Sequence, residues 1–74
     1  MKPYINRISI DPNIRFGKPY INGTRITVYD ILGWLASGMT YNDVLQDYSE
    51  LTLEDIFASL AFAADRTHKL RVAS

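Results

Sequence analysis

The stretch GKPYINGTRI, from Gly17 to Ile26, combines glycine, lysine and threonine, the residue types that cradle a phosphate. A phosphate-binding loop, however, ends in Gly-Lys-Ser/Thr and leads directly into a helix. Here proline follows Gly17-Lys18, and the next glycine follows Asn22, which is a pair typical of a tight turn. The order of these residues therefore argues against a nucleotide-binding loop.

Catalytic chemistry has few candidate residues. The chain contains one histidine, His68, and no cysteine. A catalytic histidine needs a nucleophile beside it, whereas a lone histidine in the last turn of a helix more often interacts with the helix dipole. One histidine with scattered acids also lacks the spacing of a metal site. We therefore expect no enzymatic activity, no cofactor, no metal and no small-molecule substrate.

Charge is distributed unevenly along a chain whose net charge is zero. Residues 1–25 carry +4, residues 26–65 carry −7 and the remainder carries +3. Such asymmetry is typical of an arm that binds an anion, or of two chains whose ends contact each other's middles. The candidate residues for contact with nucleic acid or a protein partner are Lys18, Arg25, Arg15 and Arg7. For Arg7 and Arg15 the alternative is that they solvate a strand edge.

Short strands are expected to position these cations. The segment YINRISI alternates loosely, and side chains in a strand repeat every second residue. The residues expected on one face are Tyr4, Ile8 and Ile10. Asp11-Pro12 should end this strand, and Ile14 to Lys18 should form an irregular connection.

The second strand signal is the hairpin PYI-NG-TRI. Asn-Gly favours a two-residue type I′ turn, which requires positive φ at both central residues. The expected opposite pairs are Ile21 with Thr24 and Tyr20 with Arg25. Residues 1–26 are therefore predicted to form a small β arm appended to the rest of the chain.

The pattern Thr-x-x-Asp occurs before each of three segments with helical apolar spacing. It resembles a capping box with aspartate in place of the commoner glutamate. The three pairs are Thr27 with Asp30, Thr40 with Asp43, and Thr52 with Asp55. They predict helices over about 28–37, 41–47 and 53–69, with Gly38 as a left-handed stop after the first. The predicted stripe of the third helix is Leu53, Ile56, Phe57, Leu60, Ala61 and Ala64.

The second and third helices, with a short turn between them, suggest a helix–turn–helix. In DNA-binding examples the first residues of the second helix of this pair contact base edges. Here those residues include Glu54 and Asp55, whose charge would repel phosphates. If DNA is bound, the basic arm is therefore the better candidate.

A second candidate surface is a partner or dimer contact. Trp34 and Phe62 lie off the predicted stripes, and they either cap the core from the side or contact a partner. The small residues of ASLAFAAD, 58–65, would allow another helix to approach closely. The basic tail completes this candidate set with Arg66, Lys69 and Arg71. Because so small a core gives little stability alone, we also expect a homodimer.

The whole chain is predicted to be one mainly α domain over 1–74. It comprises the β arm, 1–26, and a three-helix unit, 27–72. The absence of cysteine fits a cytoplasmic location. No signal peptide is evident, and charges interrupt the apolar segments before they reach membrane-spanning length.

From about Ile8 to Ala64 the sequence resembles a family of small bacterial and archaeal proteins known as domain of unknown function 433. The resemblance rests on Asp11-Pro12, Gly17-Lys18-Pro19, Gly23-Thr24-Arg25-Ile26, Gly38-Met39, and Leu51-Thr52 with Asp55-Ile56 and Leu60-Ala61. Two departures are Phe16, where the family often has a second glycine, and Ser49, where proline is common. Phe16 is expected to fill space that a glycine would leave open.

This resemblance implies a homeodomain-like helix–turn–helix fold and no catalytic residues. Members are often described as predicted antitoxins of VapB-like pairs, with a PIN-like ribonuclease as partner. We therefore expect an antitoxin-like protein that binds such a nuclease and its own operator DNA. The alternatives are a dimerisation or scaffold module, and a stand-alone DNA-binding regulator.

Overall fold

The computed structural model describes residues 6–73, and it describes side chains for 6–65. Two short strands, β1 (Ile8–Ser9) and β2 (Tyr20–Ile21), precede three helices, and a single 3-10 turn, Arg15–Gly17, lies between the strands. The helices are α1 (Val28–Ala36), α2 (Tyr41–Asp47) and α3 (Leu53–Ala73). The predicted mainly α fold is confirmed. Tyr4 and its expected place on the first strand lie outside the described residues.

All of the predicted capping boxes are present. In each box the threonine hydroxyl accepts a hydrogen bond from the aspartate N–H, and the aspartate carboxylate accepts one from the threonine N–H. The donor–acceptor distances lie between 2.9 and 3.2 Å. Because each box satisfies two N–H groups that the helix cannot, it fixes where that helix begins.

The end of α1 is set by a glycine. Gly38 has φ +105, and its N–H donates to the carbonyl oxygen of Leu35 at 3.1 Å. The N–H of Met39 donates to the carbonyl oxygen of Trp34 at 3.2 Å. These two bonds form a Schellman motif, so the predicted left-handed stop is confirmed.

The turn at Asn22-Gly23 differs from the prediction. Only Gly23, with φ +80, has positive φ there, and the N–H of Thr24 donates to the carbonyl oxygen of Ile21 at 3.0 Å. This combination fits a type II turn, since type I′ would require positive φ at Asn22 as well. The ladder beyond it pairs Tyr20 with Thr27, two residues away from the predicted register.

Tertiary pairing explains the changed register. The strand β2 pairs with β1, placing Ile8 opposite Ile21 and Ser9 opposite Tyr20. The N–H of Asn22 donates to the carbonyl oxygen of Arg7 at 2.8 Å, so the turn is also tied to the first strand. The turn geometry is therefore set by a strand that lies on its other side, which a local hairpin rule does not consider.

The core contains residues from every part of the described chain. Its buried members are Ile21, Ile26, Ile31, Val44, Leu51 and Ile56. Ile21 and Ile26 come from the segment predicted to be an appendage, and they are 1% and 9% exposed. The β arm is therefore part of the hydrophobic core.

The predicted stripe of α3 is partly wrong. Ile56 is fully buried and Leu60 packs against the core, but Leu53 and Phe57 are 38% and 48% exposed. The inward positions instead include Asp55 and Ser59, whose hydroxyl donates to the carbonyl oxygen of Asp55 at 3.0 Å. Polar side chains with satisfied hydrogen bonds can be buried, and apolar spacing alone does not identify them.

Candidate partner-binding surfaces

Arg7 binds the start of α3. Its Nη1 lies 3.1 Å from Asp55 Oδ1 and 3.4 Å from Thr52 Oγ1. The side chain of Asp55 is only 9% exposed, while that of Arg7 is 41% exposed. The guanidinium therefore pairs with a nearly buried carboxylate, which makes Arg7 part of the fold.

Arg15 plays a similar part at the start of α1. Its Nη1 lies 3.3 Å from Asp30 Oδ2 and donates to the carbonyl oxygen of Arg25 at 2.6 Å. Partial burial raises the pKa of Asp30, but contacts with Thr27 and the nearby Arg15 charge outweigh it, so the net pKa lies below its usual value. Arg15 thus joins the turn Arg15–Gly17 to both the strand region and the first helix.

Among residues 6–26, Lys18 and Arg25 are the two cations that are exposed, whereas Arg7 and Arg15 are half-buried. Among residues 6–65 neither forms an ion pair, in contrast to Arg7 and Arg15. The hydrogen bond from Arg15 to the Arg25 carbonyl holds Arg25 against the turn that precedes Lys18. The predicted cationic arm is therefore divided into two structural arginines and two free cations.

Phe16 lies two residues before Lys18, in the turn that Arg15 joins to the Arg25 carbonyl. It is 94% exposed and has φ 60, between Arg15 at φ 50 and Gly17 at φ 78. Left-handed backbone is unfavourable for a non-glycine residue, which explains why a glycine suits this position. Phe16 fills no internal space, so that expectation is wrong. We call Phe16, Lys18 and Arg25 the basic tip.

The two aromatic residues proposed for a partner surface lie in different settings. Trp34 is half-buried and stacks on Tyr48, with ring centroids 3.8 Å apart and planes at 7°. It packs against the core from the side. Phe62 is 8% exposed, so its side chain offers little area to a partner. A role for either residue in partner binding stays a prediction.

Arg66, Lys69 and Arg71 lie on the C-terminal part of α3. Their side chains lie outside the described residues, so their proposed partner contact also stays a prediction. Within the described side chains, Ala58 is buried, whereas Ala64 is exposed. The predicted small-residue segment therefore spans both the inner and the outer sides of the helix.

One apolar surface was not predicted from the sequence. Leu53, Phe57 and Ala64 are exposed and recur at helical spacing, and Ala61 between them is half-buried. We call these four residues the outer face of α3. Tyr41 of α2 adjoins it, with its ring 5.7 Å from that of Phe57 in an edge-to-face contact. The apolar spacing of these residues is visible in the sequence, but it was interpreted as a stripe that faces the core.

The start of α3 is a poor DNA-reading surface. Glu54 is exposed there, and Asp55 is buried in its pair with Arg7. No described residue at this end supplies a free cation. Phosphate contacts by Lys and Arg provide most of the affinity for DNA, so the usual docking of a recognition helix is disfavoured.

The described residues contain no group of three His, Cys, Asp or Glu side chains arranged to hold a metal ion. Within the same part of the chain, no helix combines the length and hydrophobicity needed to cross a membrane. Every buried side-chain nitrogen or oxygen there has a hydrogen-bond partner.

A family model matches most of this chain. The model of the family described as "Protein of unknown function (DUF433)" matches residues 8–63. The chain belongs to the DUF433 family. The matched segment runs from β1 to the buried part of α3, so it includes both the arm arginines and the helices that they bind. No curated protein matches this DUF433 chain.

A solved structure supports the same fold. The crystal structure of a DUF433 member protein from Anabaena variabilis ATCC 29413 is similar to this chain, with a TM-score of 0.81 and 26% sequence identity. The alignment covers 93% of this chain and 68% of the other. The arrangement of two strands and three helices is thus shared with a second DUF433 protein.

Proposed function

We propose that this DUF433 protein is the antitoxin-like component of a type II toxin–antitoxin pair and binds a PIN-like nuclease. The observation that carries the proposal is the basic tip, which combines two exposed cations that have no carboxylate partner among residues 6–65 with an almost fully exposed aromatic ring. Aromatic and arginine side chains are enriched at protein interfaces. The family resemblance supplies the class of partner.

The chemistry of a nuclease partner fits this tip. A metal-dependent nuclease holds its metal with carboxylates, so its active site presents negative charge when the metal is absent. Lys18 and Arg25 would be attracted to such a site, because complementary charge favours association and fixes orientation. Phe16 would add buried apolar area at the centre of the contact.

The internal ion pairs of Arg7 and Arg15 favour contact with protein over contact with DNA. Arg7 and Arg15 are paired with Asp55 and Asp30, whose negative charges offset theirs and weaken their attraction to phosphate. DNA-binding proteins commonly make about 6–10 contacts with phosphates. The described surface offers only Lys18 and Arg25 as free cations.

Co-expression with the neighbouring open reading frame tests the proposal. If that frame encodes the partner nuclease, we expect its toxicity to be relieved and both chains to purify together. No complex and no relief of toxicity would contradict the proposed function. A variant with Phe16→Ala should purify normally but give weaker relief.

Operator DNA binding is the second candidate function, and the free cations Lys18 and Arg25 are the feature that favours it. A two-fold dimer would double the number of these cations and would select a palindromic site. A gel shift with the upstream DNA at low and moderate salt tests this. Absence of binding at low salt excludes it, because the electrostatic contribution is largest there.

The remaining proposals follow from the same role. An antitoxin acts by binding, so we propose no enzymatic activity and no small-molecule substrate, and we place the protein in the cytoplasm with its nuclease. The plain scaffold alternative predicts self-association with neither a nuclease complex nor a DNA shift. The co-expression and gel-shift experiments therefore separate the three functions.

A further inference from the structure

We propose that two copies of this chain pair through the outer face of α3, with the two helices antiparallel. The proposal goes beyond the proposed function, because self-pairing needs neither a nuclease nor DNA. It rests on an apolar helix face that the described chain leaves uncovered, and on the charges at the two ends of that helix.

The outer face has the composition of an interface. Over three turns of α3 its exposed side chains are Leu53, Phe57 and Ala64, and the acidic residues Glu54 and Asp65 lie along one edge of it. Phe57 is 48% exposed even though Tyr41 contacts its ring. An exposed apolar patch rimmed by polar residues marks an interaction site more often than a solvated surface.

The size of the side chains favours a particular register. Phe57 and Ala64 lie on the same side of the helix, since they are two turns apart. A symmetric antiparallel pair that places Phe57 over the other copy's Ala64 matches a large side chain with a small one. Ala61 then lies close to the two-fold axis, where a small residue permits close helix packing.

The distribution of charge favours the antiparallel direction. The start of α3 carries the exposed Glu54, since Asp55 is already paired with Arg7, whereas Asp65 is followed by three basic residues between 66 and 71. An antiparallel pair places each acidic start beside the other copy's basic end, and it also opposes the two helix dipoles. A parallel pair would bring like charges together at both ends. A second copy is therefore the occupant that this face fits.

Sedimentation equilibrium of the purified chain, without any partner, measures the pairing. We expect the dimer to predominate once the chain concentration reaches about 100 µM, which corresponds to a dissociation constant below that value. Phe57→Glu should raise the dimer dissociation constant at least about 30-fold, the effect of losing one central interface residue. Tyr29→Glu is the matched control, because Tyr29 is also 48% exposed but lies on α1. It should leave the dissociation constant unchanged.

Cysteine cross-linking tests the direction, since the natural chain has no cysteine. In the proposed register Ala61 lies about 1.5 Å along the axis from its counterpart, and Leu53 about 22 Å from its own. A disulfide needs Cα atoms within about 7 Å. Oxidation should therefore link Ala61→Cys into a dimer and leave Leu53→Cys unlinked.

A monomeric wild-type chain, or a dimer that Phe57→Glu leaves intact, would overturn the proposal. Equal linking of the two cysteine variants would overturn the antiparallel direction. Circular dichroism of each variant confirms that a loss of pairing is not a loss of folding. Because no nuclease is present, a failure of the toxicity experiment leaves this result standing.

Discussion

Arg7 Nη1 and Asp55 Oδ1 lie 3.1 Å apart, although 48 positions separate the two residues in the chain. The same aspartate completes the capping box of α3, since its Oδ2 accepts a hydrogen bond from the N–H of Thr52 at 3.0 Å. One carboxylate therefore fixes the start of the longest helix and anchors the strand segment to it. Two of the four cations that were candidates for binding an external anion, Arg7 and Arg15, are therefore bound internally.

Removing this carboxylate should cost more stability than removing its counterpart in α2. Asp43 completes an identical capping box but is exposed and has no arginine partner among the described residues. Asp43→Ala should cost about 1 kcal/mol, the net contribution of its hydrogen bond with the Thr40 N–H. Asp55→Ala should cost about 2 kcal/mol, because the pair with Arg7 is lost as well. Urea unfolding followed by circular dichroism measures both losses.

The excess cost of Asp55→Ala should disappear when Arg7 is absent. In an Arg7→Ala background Asp55→Ala should cost no more than Asp43→Ala, because the cap is lost in each and removing Asp55 also removes an unpaired, nearly buried charge. Equal losses in the wild-type background would contradict the structural role assigned to Arg7.

Stability should fall at acid pH through Asp30. Contacts with Thr27 and Arg15 hold its pKa below the usual value in the folded state, despite the opposing effect of burial. A depressed pKa contributes stability above the unfolded-state pKa, about 3.9, and that contribution is lost as pH falls through the folded-state pKa. We therefore expect the Tm to drop below about pH 4.

Matched arginine variants isolate this effect. Arg15→Ala should raise the folded-state pKa of the Asp30 carboxyl, as read by NMR titration, and flatten the acid part of the stability curve. Arg25→Ala is the control, because only its backbone carbonyl contacts Arg15. An Asp30 titration that is identical in Arg15→Ala and the wild type would contradict the assignment.

Phe16→Gly should stabilise the fold. The left-handed backbone at φ 60 costs a non-glycine residue about 1–2 kcal/mol, and the almost fully exposed ring returns little packing. Glycine loses more entropy on folding, so the net gain should be up to about 1 kcal/mol. Phe16→Ala keeps the strain and should leave stability unchanged within about 0.5 kcal/mol. Destabilisation by Phe16→Gly would show that the ring packs in solution.

Two glycines of the α1 region should respond to alanine with opposite signs. Gly33 lies inside the helix, and a Cβ there meets no atom within 4 Å, so Gly33→Ala should stabilise by about 0.5–1 kcal/mol. Gly38 also has open space but φ +105, so Gly38→Ala should destabilise by about 1–2 kcal/mol. Thermal unfolding of the pair tests this, and the same sign for both would contradict the Schellman end of α1.

Helix positions could be predicted from the sequence because capping is local. Thr and Asp three residues apart contain the whole interaction, so α1 and α2 begin where Thr27 and Thr40 place them. The register at Asn22-Gly23 could not be predicted in this way. There β1 pairs with β2 across a long connection, and this non-local pairing decides which turn is made.

The candidate surfaces were predictable only in part. Lys18 and Arg25 were predicted as contact cations, and Arg7 was given a structural alternative at a strand edge. The actual carboxylate partner of Arg7 could not be predicted, because it is distant in the chain. The outer face of α3 was assigned to the core because Leu53 and Phe57 keep apolar spacing. In the structure Asp55, on the opposite side of the helix from them, faces inward and pairs with Arg7.

The most direct test of the account is the double charge reversal Lys18→Glu with Arg25→Glu, measured by relief of nuclease toxicity in co-expression. We expect the variant to fold and to self-associate like the wild type, because neither side chain has an ion-pair partner among the described residues. It should lose relief of toxicity and co-purification with the nuclease. A folded double variant that relieves toxicity as well as the wild type would contradict partner binding by the basic tip.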